Sequence, residues 1–371
     1  MGRLDKVTPF LVMEVLEKAQ RMEDVVHMEI GEPDLDPPPG VWEHLERAIK
    51  ERKYFYTASV GIEELRQKIA EHYWTYYGVD ISPERVVITT GSSGAFLVVY
   101  SIILSAGDSI AIADPSYPCY KNFAHLLDIN PILIPVGPET HYQITPPMLE
   151  GLNIKAVHIS SPSNPTGTFY REDTLRSLCS YCDEKGIYLI SDEIYHGLVY
   201  EGREHTVLEF SERAIVVNGF SKFFCMPGFR LGWIILPPDL VRKAQIVLQN
   251  VFISAPSLSQ YAALGAFDYK YLQKVREIYR ERRDVLYREL KDVFNIPCPP
   301  EGGFYIWADV SRYTENSYQF CMDLLEKAKV AVTPGIDFGY NRTNTYIRLA
   351  YTKDKGTLLE GARRIKSYLM M

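Results

Sequence analysis

Lys222 stands in a turn between two apolar runs, Ala214–Val217 and Leu231–Leu236, and its neighbours make it a candidate nucleophile. Ser221 precedes it, Phe223 and Phe224 follow as desolvating groups, and Arg230 lies eight positions on within a Gly-x-Arg-x-Gly frame. A single lysine after a strand is ordinarily a solvated surface residue. Among apolar groups and near a second cation, however, its pKa is depressed, and it presents a neutral amine able to form a Schiff base. Arg230 offers a planar fork of donors suited to a phosphate.

Further candidates follow other apolar runs that read as strands. Gly91-Ser92-Ser93-Gly94 lies between the run Val86–Thr90 and a helix from Ala95. Free backbone donors and the hydroxyls of Ser92 and Ser93 at a helix N-terminus form an anion site. Tyr117 follows Ser109–Ala113, where an aromatic ring can stack on a flat heterocycle. Asn164, between Pro162 and Pro165 in the turn after Ala156–Ser160, offers an amide donor. Asp192 and Tyr195 follow Gly186–Ser191. An amine able to form a Schiff base beside a phosphate-binding arginine suggests pyridoxal phosphate. The Asp192 carboxylate can then pair with the pyridine nitrogen of that cofactor and keep its proton, while Asn164 and Tyr195 bond its phenolic oxygen. These groups fall just beyond the carboxyl ends of the strands.

Gly219-Phe220-Ser221-Lys222 through Gly228-Phe229-Arg230-Leu231-Gly232 resembles the Schiff-base signature of the class I/II aminotransferases, fold type I pyridoxal-phosphate enzymes of the aspartate aminotransferase superfamily. Ser163-Asn164-Pro165-Thr166-Gly167 is similar to a second motif of that family. Two positions depart from it: Gly219 stands where many members carry a phosphate-binding serine, and Cys225 where a smaller residue is usual. The resemblance implies further roles. The Gly31-Glu32-Pro33-Asp34 loop brings a backbone amide to the substrate carboxylate, and Tyr117 lies over the pyridine ring. Arg348, in the apolar run Tyr346–Ala350, binds the substrate carboxylate; from burial alone it should meet some anion, a structural salt bridge included. Tyr56 reaches into the neighbouring subunit's site and donates to the phosphate, which implies a homodimer.

The elements that must position these groups alternate strand and helix from Val86 onward, the pattern of a doubly wound α/β domain. With 371 residues the chain has room for two domains. We expect residues 1–45 as an N-terminal arm and part of a small domain, 46–285 as a large cofactor-binding domain with a mainly parallel sheet, and 286–371 as the rest of a small α+β domain built from both chain ends. Pro237–Phe252 and Tyr261–Leu290 read as two long helices.

Composition narrows the function. A net charge of −7 and a pI near 5.7, with no basic stripe, argue against a nucleic-acid surface. The longest apolar segment, Gly94–Ala106, falls short of the ~20 residues a membrane span needs. The first twenty residues carry no signal-peptide core, so a cytoplasmic location is expected. Asp192-Glu193-Ile194-Tyr195-His196 could evoke a helicase box, but no G-x-x-x-x-G-K-[ST] accompanies it, and no G-x-G marks a dinucleotide site. Cys179-Ser180-Tyr181-Cys182 falls inside a helical pattern with no second pair, and reads as packing with no metal implied. The resemblance implies ping-pong transfer of an amino group from an L-amino acid, aspartate or one with an aromatic or other neutral side chain, to a 2-oxo acid such as 2-oxoglutarate. A carbon–sulfur or other β/γ-lyase on the same fold is the alternative, and a non-enzymatic cofactor-binding regulatory domain a remote one. Phe10, Phe96, Tyr117 and Phe252 are candidates to surround the side chain of the substrate.

Overall fold

In the computed structural model, which describes residues 2–370, a seven-stranded sheet carries the cavity that collects the candidate residues. The chain enters through α1 (Leu11–Gln20), β1 (Val26–His27), α2 (Pro39–Lys50) and α3 (Glu63–Tyr77). It then alternates β2 (Val86–Thr89), α4 (Gly91–Ile103), β3 (Ser109–Asp114), α5 (Cys119–Leu126), β4 (Asn130–Pro135) and β5 (Ala156–Ser160). After α6 (Glu172–Lys185) come β6 (Tyr188–Asp192), β7 (Ile215–Gly219) and β8 (Gly232–Ile235). Strand order is β2-β8-β7-β6-β5-β3-β4, parallel except for β8, which runs against both its neighbours. Helices cover both faces, so the strands read as unbroken apolar runs. Alternate residues feed two cores: Val87, Ile110, Ile190 and Ile234 on one face, Ile88, Ala111, Leu189 and Trp233 on the other.

The chain continues through α7 (Pro238–Val251), α8 (Ser257–Ala263) and α9 (Tyr269–Leu290), so the second long helix expected from the sequence is divided in two. The break has a packing cause. Gly265 lies so close to Gly40 that a Cβ on it would meet the Gly40 carbonyl oxygen at 2.0 Å, and that contact fixes where α8 must stop beside α2. Asp268 then caps α9 by accepting from the Tyr271 amide at 3.1 Å.

A smaller three-stranded sheet, β11-β12-β9, is built from β9 (Tyr305–Asp309), β11 (Thr333–Pro334) and β12 (Tyr346–Ala350), all antiparallel. Between them lie α10 (Ser317–Asp323) and β10 (Val330–Ala331), and α11 (Lys355–Leu369) ends the fold. β1 pairs with β10, so both ends of the chain contribute to this region. The expected divisions at 45/46 and 285/286 fall inside α2 and α9, so any division runs along continuous helices. No helix among the described residues is long and apolar enough to cross a membrane. Cys179 and Cys182 are buried in the core on α6.

Candidate active site

The carboxyl ends of the parallel strands face a cavity of about 340 Å³. One end of it is a phosphate-sized cradle. α4 begins at Gly91, whose φ of +66° suits glycine, and a Cβ there would meet Arg230 Nη2 at 2.7 Å. Ser92 and Ser93 occupy the first turn of α4, where amides are free of helical partners. Arg230, itself at a φ of +50°, is anchored by Nη1 to the Pro227 carbonyl at 2.9 Å. Ser221 completes this end.

Lys222 reaches back from the turn after β7, its Nζ donating to the Gly31 carbonyl at 2.8 Å. Gly31 is thus present at the site as an acceptor for the lysine. A Cβ on Gly31 would overlap the Tyr305 ring, which explains the small residue. Burial lowers the Lys222 pKa, and the charges of Arg348 and Arg230 press in the same direction. The sequence reading gave the desolvation to Phe223 and Phe224, but those rings pack into the core, Phe224 with Phe220, Phe267 and His72 and Phe223 with Tyr76 and Phe224. The lysine instead lies by the Tyr195 ring, 5.9 Å from its centroid. Cys225 has a φ of +54°, a conformation that β-substituted residues adopt at a cost.

Asp192 ends β6 and is 3% exposed. Burial pushes its pKa up to about 6, against hydrogen bonds from the Tyr120 hydroxyl and the Ile194 amide. Tyr117 lies at the cavity wall, stacked on Phe10 with centroids 6.4 Å apart. Tyr195 shares a hydrogen bond of 2.8 Å with Tyr305.

Arg348 is buried on β12 beside the cavity, at 6% exposure. Its hydrogen bonds go to the Asn164 Oδ1 at 2.8 Å, the Glu29 carbonyl at 2.7 Å and Thr333 Oγ1 at 3.2 Å, all neutral oxygens. Tyr305 and Phe338 flank the guanidinium, with ring centroids 4.1 and 4.8 Å away. A buried cation held only by neutral acceptors and aromatic faces is built to receive an anion. The salt bridge that could have answered for it is not formed among the described residues.

Tyr120 and Tyr305 had no role in the sequence reading. Tyr120, in the first turn of α5 just after Tyr117, and Tyr305 on β9 carry no local signal of a role at the site. Phe10 and Phe96 line the cavity with Val12, Met13 and Ile30, but Phe252 does not: its ring packs against the backbone at Gly94. Tyr56 is outside the cavity and 80% exposed, beside the exposed Phe55.

The residues from 23 to 365 match the family model described as aminotransferase class I and II. The chain belongs to this family. The enzyme is 39% identical to a valine–pyruvate aminotransferase of Mycobacterium tuberculosis, over 98% of this chain and 97% of the relative. It is 38% identical to a (5-formylfuran-3-yl)methyl phosphate transaminase of Methanocaldococcus jannaschii, covering 99% and 98%. The crystal structure of an aminotransferase from Mycobacterium tuberculosis superposes with a TM-score of 0.95 at 38% identity, over 98% of this chain and 97% of the other. The enzyme is therefore an aminotransferase of fold type I, from a family that depends on pyridoxal phosphate.

The donor set suits that cofactor. The Gly91 cradle with Arg230 and the hydroxyls of Ser92, Ser93 and Ser221 matches a phosphate, and Asp192 supplies an acid at the buried end.

Proposed function

We propose that this aminotransferase moves the amino group of an L-amino acid with a neutral, apolar or aromatic side chain to a 2-oxo acid by a ping-pong mechanism, with pyridoxal phosphate held through Lys222. The observation that carries the reading is the pairing, in one cavity, of a lysine with a lowered pKa and a buried arginine whose hydrogen bonds all go to neutral oxygens.

In this reading Ser92, Ser93, Ser221 and Arg230 hold the phosphate, Asp192 the ring nitrogen, Asn164 and Tyr195 the phenolic oxygen, and Tyr117 the ring face. When bound, the cofactor ring takes up the electron pair left at the substrate Cα as its proton departs. Arg348 docks the α-carboxylate, with the Gly31 loop and Asn164 beside it. The Lys222 amine removes the Cα proton, a role that requires it to be neutral. The exposed Tyr56 completes the phosphate contacts of a second copy in a homodimer.

The cavity is also lined by Phe10, Val12, Met13 and Ile30, and by Glu29 and Asp337, whose carboxylates are bonded to His27 and to the Leu11 and Val12 amides. Arg230 and Arg348, its two arginines among the described residues, are already assigned. A second carboxylate on the donor would meet apolar groups and no further arginine, at a cost. This disfavours aspartate as donor and supports pyruvate over 2-oxoglutarate as acceptor, in keeping with the name of the valine–pyruvate relative.

The test is a single-turnover experiment on the holoenzyme without acceptor, with L-valine, L-phenylalanine and L-aspartate added in turn. The expected result is loss of the visible cofactor band with one 2-oxo acid released per site, fastest for a neutral donor. With L-cysteine, whose thiol is a β leaving group, continuous release of ammonia and pyruvate with an unchanged band would instead establish a lyase.

A further inference from the structure

Away from the active-site cavity, Cys298 Sγ lies 3.6 Å from His141 Nδ1, and His141 Nε2 lies 2.7 Å from Glu301 Oε2. In a thiol–imidazole–carboxylate series the carboxylate orients the ring and stabilises its charge, while the ring takes the proton of the thiol. The partners come from separate segments. His141 follows a short turn at Pro138–Thr140, and Cys298 and Glu301 lie in the proline-rich stretch before β9.

The set is held firmly. His141 and Tyr142 are successive non-glycine residues at φ of 55° and 56°, a conformation that persists only where surrounding contacts impose it. Glu301 also accepts from Arg171 at 2.5 Å, and its amide donates to the Gly167 carbonyl at 2.8 Å. Contacts with Cys298 and Glu301 raise the His141 pKa to about 9, so the ring is cationic at neutral pH. Of the other groups facing the pair, Arg171 opposes that charge from 3.5 Å, and Tyr142 and Tyr346 are kept neutral by burial.

The chain has five other free cysteines, and none of them has a histidine partner among the described residues. Burial pushes Cys179, Cys182 and Cys225 up to about 12, and raises Cys119 and Cys321 as well. Cys298 is 6% exposed and precedes Pro299 and Pro300, which with His141 and Glu301 line a cleft of about 320 Å³.

We propose that Cys298, paired with His141, which Glu301 orients, forms an oxidation site for small peroxides. The sulfur attacks one oxygen of hydrogen peroxide; the S–O bond forms as the O–O bond breaks. Sulfur is oxidised to the sulfenic acid, the peroxide is reduced, and His141 gives its proton to the departing hydroxide, which leaves as water, and takes up the proton of the thiol.

The experiment treats the folded holoenzyme with hydrogen peroxide and the sulfenic-acid trap dimedone across pH 5.5–8.5, with each cysteine followed by peptide mass spectrometry. Cys298 is expected to be labelled ahead of the others. His141→Asn should abolish that lead, and Glu301→Gln should reduce it. The proposal is overturned if wild-type Cys298 is labelled no faster than Cys179 and Cys182, or if His141→Asn leaves its rate unchanged. The wild-type order of labelling decides even where a variant fails to fold.

Discussion

Tyr120 donates its hydroxyl to Asp192 Oδ2 at 2.5 Å, and its ring lies on His158 with centroids 4.0 Å apart. His158 in turn is bonded to the Tyr100 hydroxyl at 2.6 Å. Burial raises the Asp192 pKa to about 6, and the Tyr120 hydroxyl is the largest of the contacts that hold it down. Tyr120 thus keeps ionised the acid assigned to the ring nitrogen of the cofactor.

Tyr120→Phe removes that hydrogen bond, so the Asp192 pKa rises and the anionic form is lost at higher pH. In the wild type, pyridoxal phosphate affinity should weaken as pH falls through about 6. In the variant the same weakening should begin up to ~1 pH unit higher, the equivalent of one hydrogen bond. Cofactor titrations from pH 5 to 8 measure it; superimposable profiles would remove Tyr120 from this role.

Lys222→Ala should abolish transamination, exceeding the ~10²- to 10⁴-fold loss typical of a missing general base, because the covalent attachment goes with it. The loss is read as the turnover of L-valine with pyruvate, alongside a circular dichroism spectrum to show the fold intact. Near wild-type turnover would sink the assignment.

Arg348→Lys keeps a charge but loses the fork that reaches Asn164, the Glu29 carbonyl and Thr333. KM for the amino acid should rise about 10- to 100-fold, the scale of a lost charge-assisted hydrogen bond of ~1.5–3 kcal/mol, with kcat less affected. An unchanged KM would take the α-carboxylate away from Arg348.

Glu193 gives a pH prediction for stability. It is fully buried, accepts from Ser191, Thr206 and the Val207 amide on Oε1, and has its pKa pushed up to about 8 by burial. Between the unfolded value of 4.5 and about 8, the folded chain holds a proton that the unfolded chain has released. Stability from this group therefore falls as pH rises through that window. Glu193→Gln keeps the acceptor oxygen and removes the titration. Its urea midpoint relative to wild type should climb between pH 5 and 8, by up to ~1.4 kcal/mol per pH unit in free energy. An equal difference at both ends would show that Glu193 does not titrate there.

Tyr56→Phe tests the assembly. The side chain is 80% exposed in the single chain, so its hydroxyl makes little difference to a monomer. In a homodimer the variant should bind pyridoxal phosphate about tenfold more weakly, roughly one hydrogen bond to a charged group at ~1.5 kcal/mol. Light scattering gives the mass in parallel; a monomer with unchanged cofactor affinity would end the shared-site reading.

The strands ending at Thr89, Asp114, Ser160, Asp192 and Gly219, and the turns that follow them, were legible because their determinants are local. Apolar runs of four to six residues closed by Gly, Pro, Ser or Asn specify strand and turn wherever they occur. Once those strands are parallel, the groups after them must share an edge, so Lys222, Asp192, Asn164, Tyr117 and Ser92 could be collected from the sequence alone. Apart from the family resemblance, Arg348 was legible only as a buried cation in need of an anion. That its contacts are neutral oxygens from Glu29, Asn164 and Thr333 depends on three segments meeting across the cavity. The same holds for Tyr305 against Tyr195, for the division of α8 from α9 at Gly265, and for the Cys298–His141 pair 157 positions apart. Such contacts follow from strand order and loop path, set by packing of the whole chain, and spacing along the sequence carries no trace of them.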